Sequence, residues 1–71
     1  MGRLRATMTD LRTGETFFDQ TVPADREGVR SLRTSTGGLK QLARELMGDP
    51  DAVEKSLTTR TIHWCVRRVS S

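Results

Sequence analysis

Apolar and polar residues alternate strictly at both ends of this chain, and between them they recur at helical spacing. In "RLRATMTDL", Leu4, Ala6 and Met8 alternate with Arg3, Arg5, Thr7 and Thr9. A period of two places one set of side chains on each face of a strand, so this stretch predicts a half-buried strand. "RTGE" follows, and Gly14 is suited to the positive φ of a hairpin turn. "TFFDQTV" is aromatic and β-branched and stops at Pro23, which predicts the second strand of that hairpin. Pairing Leu11 with Glu15 around a three-residue loop sets Met8 opposite Phe18 and Leu4 opposite Val22, all on one face with Ala6. A slip of one residue would oppose Met8 to Asp19 and strand the apolar set. The other face then receives Arg3, Arg5, Thr7, Thr9, Phe17 and Asp19.

The clearest helix lies in "STGGLKQLARELMG". Leu39, Leu42, Ala43, Leu46 and Met47 follow the i, i+3, i+4, i+7, i+8 pattern of one apolar stripe. Ser35 or Thr36 suits its N-cap and Gly48 its C′ position. Lys40, Gln41, Arg44 and Glu45 form the solvated side. "PADREGVRSLR" reads as either a short helix or a loop: Asp25 and Glu27 suit a helix start, and Val29 and Leu32 are three apart, but Gly28 costs a helix about 1 kcal/mol relative to Ala. If it is helical, Arg26, Arg30 and Arg33 make one stripe. After the main helix, Asp49-Pro50 reads as a stop, or as the N-cap and first position of another short helix. The last element, in "RTIHWCVRR", is again a strand, with Ile62, Trp64 and Val66 alternating against Thr61, His63, Cys65 and Arg67.

This order predicts an α+β fold, a small two-layer ββαβ sandwich over residues 1–71 as a single domain. Its three-stranded antiparallel or mixed sheet has the order 2-1-3. One main helix, about 37–47, covers the face of Leu4, Met8, Phe18, Val22, Ile62, Trp64 and Val66. A short extra helix is expected near 24–33 or 50–57. No further apolar helix remains for the opposite face of the sheet.

At 71 residues, such a chain buries only about 60% of its unfolded surface, which disfavours a deep cleft alongside a complete core. Classical enzymes lose ground on this count and small binding modules gain it. Apolar residues make up 34% and charged residues 30%, so stability is expected to lean on a partner or on self-association. The net charge is +3 and the isoelectric point 10.0. Ten of the twelve basic residues are Arg, whose planar fork matches carboxylates and phosphates and stacks on rings. A charge this mild permits polyanion binding without requiring it.

The single Cys excludes an internal disulfide and suits a reducing compartment, so a cytoplasmic location is expected. "MGRLRAT" lacks the apolar core of a secretory signal, and Ala6 stands where a myristoylation pattern wants Ser or Thr. No apolar run approaches the length of a membrane span.

His63 and Cys65 share a strand face, which brings a metal site or a thiolate–imidazole pair to mind. A structural zinc site wants four ligands and catalysis wants an orienting group, and neither is present at a recognisable spacing. No cofactor and no metal are expected, and Trp64 reads as a core anchor. "TGG" at 36–38 precedes a helix but lacks the Lys-Ser/Thr of a phosphate-binding loop. The sharper expectation is the uncovered sheet face, where Arg3, Arg5, Phe17, His63 and Arg67 would bind a partner. Arg26, Arg30 and Arg33 offer a second basic surface, and the pair Arg67-Arg68 could add to either. The sequence therefore predicts a non-enzymatic protein-binding module, accessory or inhibitor-like, that covers a surface on a larger protein. A small nucleic-acid-binding regulator using the same Arg residues on phosphates is the alternative. A homodimer is compatible with both, and a membrane partner is not expected.

Overall fold

A computed structural model describes residues 2–33 and 38–69. The candidate caps Ser35 and Thr36 lie outside the described residues. The elements run β1 (Arg3–Asp10), β2 (Thr16–Pro23), α1 (Arg26–Ser31), α2 (Gly38–Met47), β3 (Glu54–Thr58) and β4 (Ile62–Val69).

The sheet has four strands in the order β2-β1-β4-β3, not three in the order 2-1-3. Every neighbouring pair is antiparallel. The last strand does lie beside the first, as the expected order has it, with Arg3 opposite Val69 and Ala6 opposite Val66. The difference arises at 50–57, one of the two stretches for which the sequence allows a further short helix. The chain turns there instead. The Asp49 carboxylate accepts from Asp51 N at 3.3 Å and its carbonyl from Ala52 N at 3.1 Å. "EKSLT" has little strand character of its own and becomes a strand by pairing with β4, a tertiary override of propensity. The short helix near 24–33 does form.

The hairpin register holds over most of its length: Leu4 pairs Val22 and Met8 pairs Phe18. It shifts between Met8 and Thr9, so that Thr9 faces Thr16. This bulge moves the turn by one residue. Asp10 N, not that of Leu11, reaches the Glu15 carbonyl, at 2.8 Å, and Gly14 takes φ 75°. Phe17 is the extra residue of the bulge, and bulges redirect side chains in this way.

Both helices contribute to one core. Leu4, Ala6, Val22 and Val66 of the sheet meet Val29 of α1, Leu32 just beyond it, and Leu39, Leu42, Ala43 and Leu46 of α2. Trp64, Met8 and Phe18 pack at its edge, half-buried. Trp64 comes so close to the start of α2 that a Cβ on Gly38 would lie 1.5 Å from its ring. The indole Nε1 is buried and has no hydrogen-bond partner among the described residues. Met47, expected on the apolar stripe, is instead 37% exposed at the helix end. Gly48 follows it without the left-handed φ of a Gly cap.

Two details seat the helical layer. Asp25 caps α1, accepting from Gly28 N at 2.7 Å. Gly28 is buried against the end of β2, where a Cβ would lie 1.8 Å from the Pro23 carbonyl oxygen. Glycine is therefore required there for close approach, not merely tolerated in a helix. At the other end, Arg68 donates to the carbonyls of Ala52 at 3.0 Å and Leu46 at 2.8 Å. The Leu46 carbonyl, near the end of α2, also accepts from Asp49 N at 3.2 Å, so Arg68 adds a second bond there. Arg68 is thus a structural tie on the covered face and adds to neither basic surface.

Candidate functional site

Alternation along each strand fixes what the uncovered sheet face carries. Reading across β2, β1, β4 and β3, one row holds Thr21, Arg5, Arg67 and Glu54, and the next Asp19, Thr7, Cys65 and Ser56. A third places Thr9 opposite Thr16 on one side and His63 on the other, with Thr58 beyond. Arg3 lies at one end, between Pro23 and Val69.

Arg5, His63 and Arg67 come together here. With Thr7, Glu54 and Cys65 they line a shallow depression of about 250 Å³. Arg3 and Phe17 do not line it, although Phe17 is 54% exposed. The three residues that do converge are already engaged. Arg5 grips Asp19 with two nitrogens, Nε donating at 3.0 Å to Oδ1 and Nη2 bonding Oδ2. Arg67 pairs with Glu54 at 3.6 Å. His63 Nδ1 is 2.8 Å from the Thr58 hydroxyl. On the uncovered face of these strands three arginines (Arg3, Arg5, Arg67) stand against two carboxylates (Asp19, Glu54), a formal charge of +1. Glu54 belongs to the strand that alternation did not predict, so the sequence reading could not see this neutralisation.

Cys65 is buried, and its thiol donates to Glu54 Oε1 at 2.8 Å. Burial first, then the bonded carboxylate, push its pKa up to about 11. A reactive cysteine needs the reverse, a thiolate stabilised by positive surroundings. The thiol's hydrogen bond and the charge of Arg67 hold Glu54 below its ordinary value, and the Arg5 bonds do the same for Asp19. Among the described residues no group of three or more His, Cys, Asp or Glu side chains is poised to hold a metal ion.

The second basic surface is rearranged. Arg26 and Arg30 lie on α1, but Arg33 falls beyond it, where its backbone N–H donates to Gln20 Oε1 at 3.2 Å. Arg44 of α2, read from the sequence as part of a solvated side, takes its place. Arg26, Arg30 and Arg44 surround a groove of about 360 Å³ between the two helices, over Val29 and Met47. No spacing within either helix could reveal this, because it depends on how the two helices meet. Of the "TGG" at 36–38, only Gly38 is described; Thr36 and Gly37 lie outside the described residues.

Comparison with protein-family models, with curated proteins and with solved structures finds no match to this chain. No described helix is long and apolar enough to cross a membrane.

Proposed function

We propose that this chain is a non-enzymatic binding module that covers a surface on a larger protein, with the open sheet face as its docking surface. One observation carries the reading: both helices pack on the same side of the sheet, and the other side presents arginines already oriented by their own carboxylates. Arg5 and Arg67 held in this way lose little side-chain freedom on docking, which lowers the entropic cost of association. Exposed Phe17 at the bulge adds an aromatic anchor of the kind enriched at interface centres. A face carrying both signs of charge suits a protein surface that also carries both. It suits a phosphate backbone less well, because Asp19 and Glu54 would meet the phosphates. Nucleic-acid binding through the same arginines is the second reading, and the two differ in salt dependence.

The test is capture of partners from native lysate by the tagged chain, with and without nuclease, followed by Arg5→Glu with Phe17→Ala. A nuclease-resistant partner lost by that variant, with native circular dichroism, supports the proposal. Retention by the folded variant refutes this docking face. A partner lost to nuclease, with affinity falling by about 0.7–0.9 log units per contact for each log unit of salt, establishes the second reading.

A further inference from the structure

The groove between α1 and α2 differs from the sheet face in one respect that decides its chemistry: among the described residues, none of its three cations takes part in an ion pair. Arg26, Arg30 and Arg44 take part in none of the ion pairs among the described residues, which join Arg5 to Asp19, Arg12 to Asp10, Lys55 to Asp49 and Arg67 to Glu54. Arg26 and Arg30 stand four apart on one helix, a like-charge spacing that destabilises it. The one acid lining the groove, Asp25, is committed through Oδ1 to capping α1.

Between the cations the groove is apolar. Val29 is 6% and Met47 37% exposed, and Met is a side chain that adapts to varied apolar partners. The volume of about 360 Å³ admits one bulky apolar side chain, and among the described residues no aromatic ring lines it on which a base could stack. Three unpaired guanidinium groups around an apolar floor call for a ligand with carboxylates around an apolar anchor.

We infer that this groove is a second binding site, on the layer opposite the sheet face, for an acidic peptide segment of a partner protein that inserts one aromatic or branched apolar side chain between Val29 and Met47. The peptide's carboxylates take up the forks of Arg26, Arg30 and Arg44. Arg–carboxylate pairing of this kind is both charge-assisted and directional. The site is independent of the docking face proposed above.

The probe is a short fluorescein-labelled peptide of Asp and Glu with one central Phe. Two matched peptides accompany it, one with Ala for the Phe and one with Gln and Asn for the acids. Anisotropy reads affinity, and amide shifts of the isotope-labelled full chain read location. Binding of the Phe peptide, weaker by about tenfold for either matched peptide, with shifts at Val29, Arg30, Arg44 and Met47, supports the inference. Arg30→Glu is expected to weaken binding by about tenfold or more, while Arg60→Glu, an equal charge change in an exposed loop, leaves it unchanged. Equal binding of the Ala peptide, shifts confined to β1 and β4, displacement by an oligothymidylate that shifts the same amides, or no binding at millimolar peptide would each overturn it. The map on the unmodified chain decides the matter should Arg30→Glu fail to fold.

Discussion

The sheet face and the interhelical groove are both built around arginines, yet they offer opposite electrostatics. On the sheet, neighbouring strands bring Asp19 to Arg5 and Glu54 to Arg67, so two of its three arginines are paired within the molecule. In the groove, two helices bring Arg26, Arg30 and Arg44 together and supply no comparable partner. The lesson is that counting arginines does not locate a binding surface for anions; what matters is which of them the fold leaves unpaired.

The contrast can be broken most forcefully by unseating α1. Helix propensity alone expects Gly28→Ala to stabilise. The Pro23 carbonyl oxygen, 1.8 Å from where the Cβ would sit, reverses the sign, and a loss of about 1–3 kcal/mol is expected from overpacking. Urea unfolding measures it, and a stabilised variant would show that α1 can shift without penalty. Next in size is Asp25→Ala, which removes the N-cap of α1 and should cost about 1 kcal/mol. The same change deletes the groove's one acid, so peptide affinity should rise or hold while stability falls. Affinity falling in step with stability would mean that the groove depends on an intact cap more than on its charge.

A smaller effect sharpens the sheet side. Cys65 has its folded pKa raised from 9.0 to about 11. A raised value means its contribution is fully present below pH 9.0, the ordinary value, and is lost as pH climbs toward about 11. Alkylation by iodoacetamide at neutral pH should be slow in the folded chain and fast in urea. Rapid labelling of the folded chain would contradict the buried, Glu54-bonded thiol. The smallest expected effect is at Arg5 and Asp19. The pair is solvent-exposed, and such pairs add little to stability. A double-mutant cycle with Arg5→Ala and Asp19→Ala should give a coupling near the limit of detection. The lowered Asp19 value puts even that contribution above the ordinary carboxylate range, lost as pH falls through it. A large coupling would mean that the pair holds the sheet together and is not simply a preset surface.

Strong periodicity made most of the architecture readable. Leu4, Ala6 and Met8 announce β1; Leu39, Leu42 and Leu46 announce α2; Ile62, Trp64 and Val66 announce β4. Opposing Leu4 to Val22 sets the hairpin register as far as Met8 and Phe18, but not the bulge beyond them that moves the turn by one residue. β3 was not readable because "EKSLT" shows no clean alternation: its apolar member, Leu57, remains 48% exposed at the outer strand. Missing β3 also hid Glu54, and with it the neutralised state of Arg67 and the bonded state of Cys65. Asp19 could be placed on the correct face, but its grip on Arg5 requires side-chain geometry. The position of Arg68 was available in principle, since it shares the parity of Trp64 and Val66. Its charge made it look like surface, when the ends of α2 and of the following turn supply carbonyls for it to hold. The groove lies beyond any reading of periodicity, because it exists only where two separately amphipathic helices cross.

The position of β4 has a consequence for how the chain reaches this structure. The last strand in sequence is an interior strand of the sheet, bonded to β1 on one side and β3 on the other. Pairing Arg3 with Val69 closes a loop spanning almost the whole chain. Non-local closure of this kind slows folding. The hairpin β1–β2 and the helices can begin to form as synthesis proceeds, but the two halves of the sheet have no common strand until β4 is made. The sheet should therefore assemble in one concerted step, once β4 is present to join its two sides.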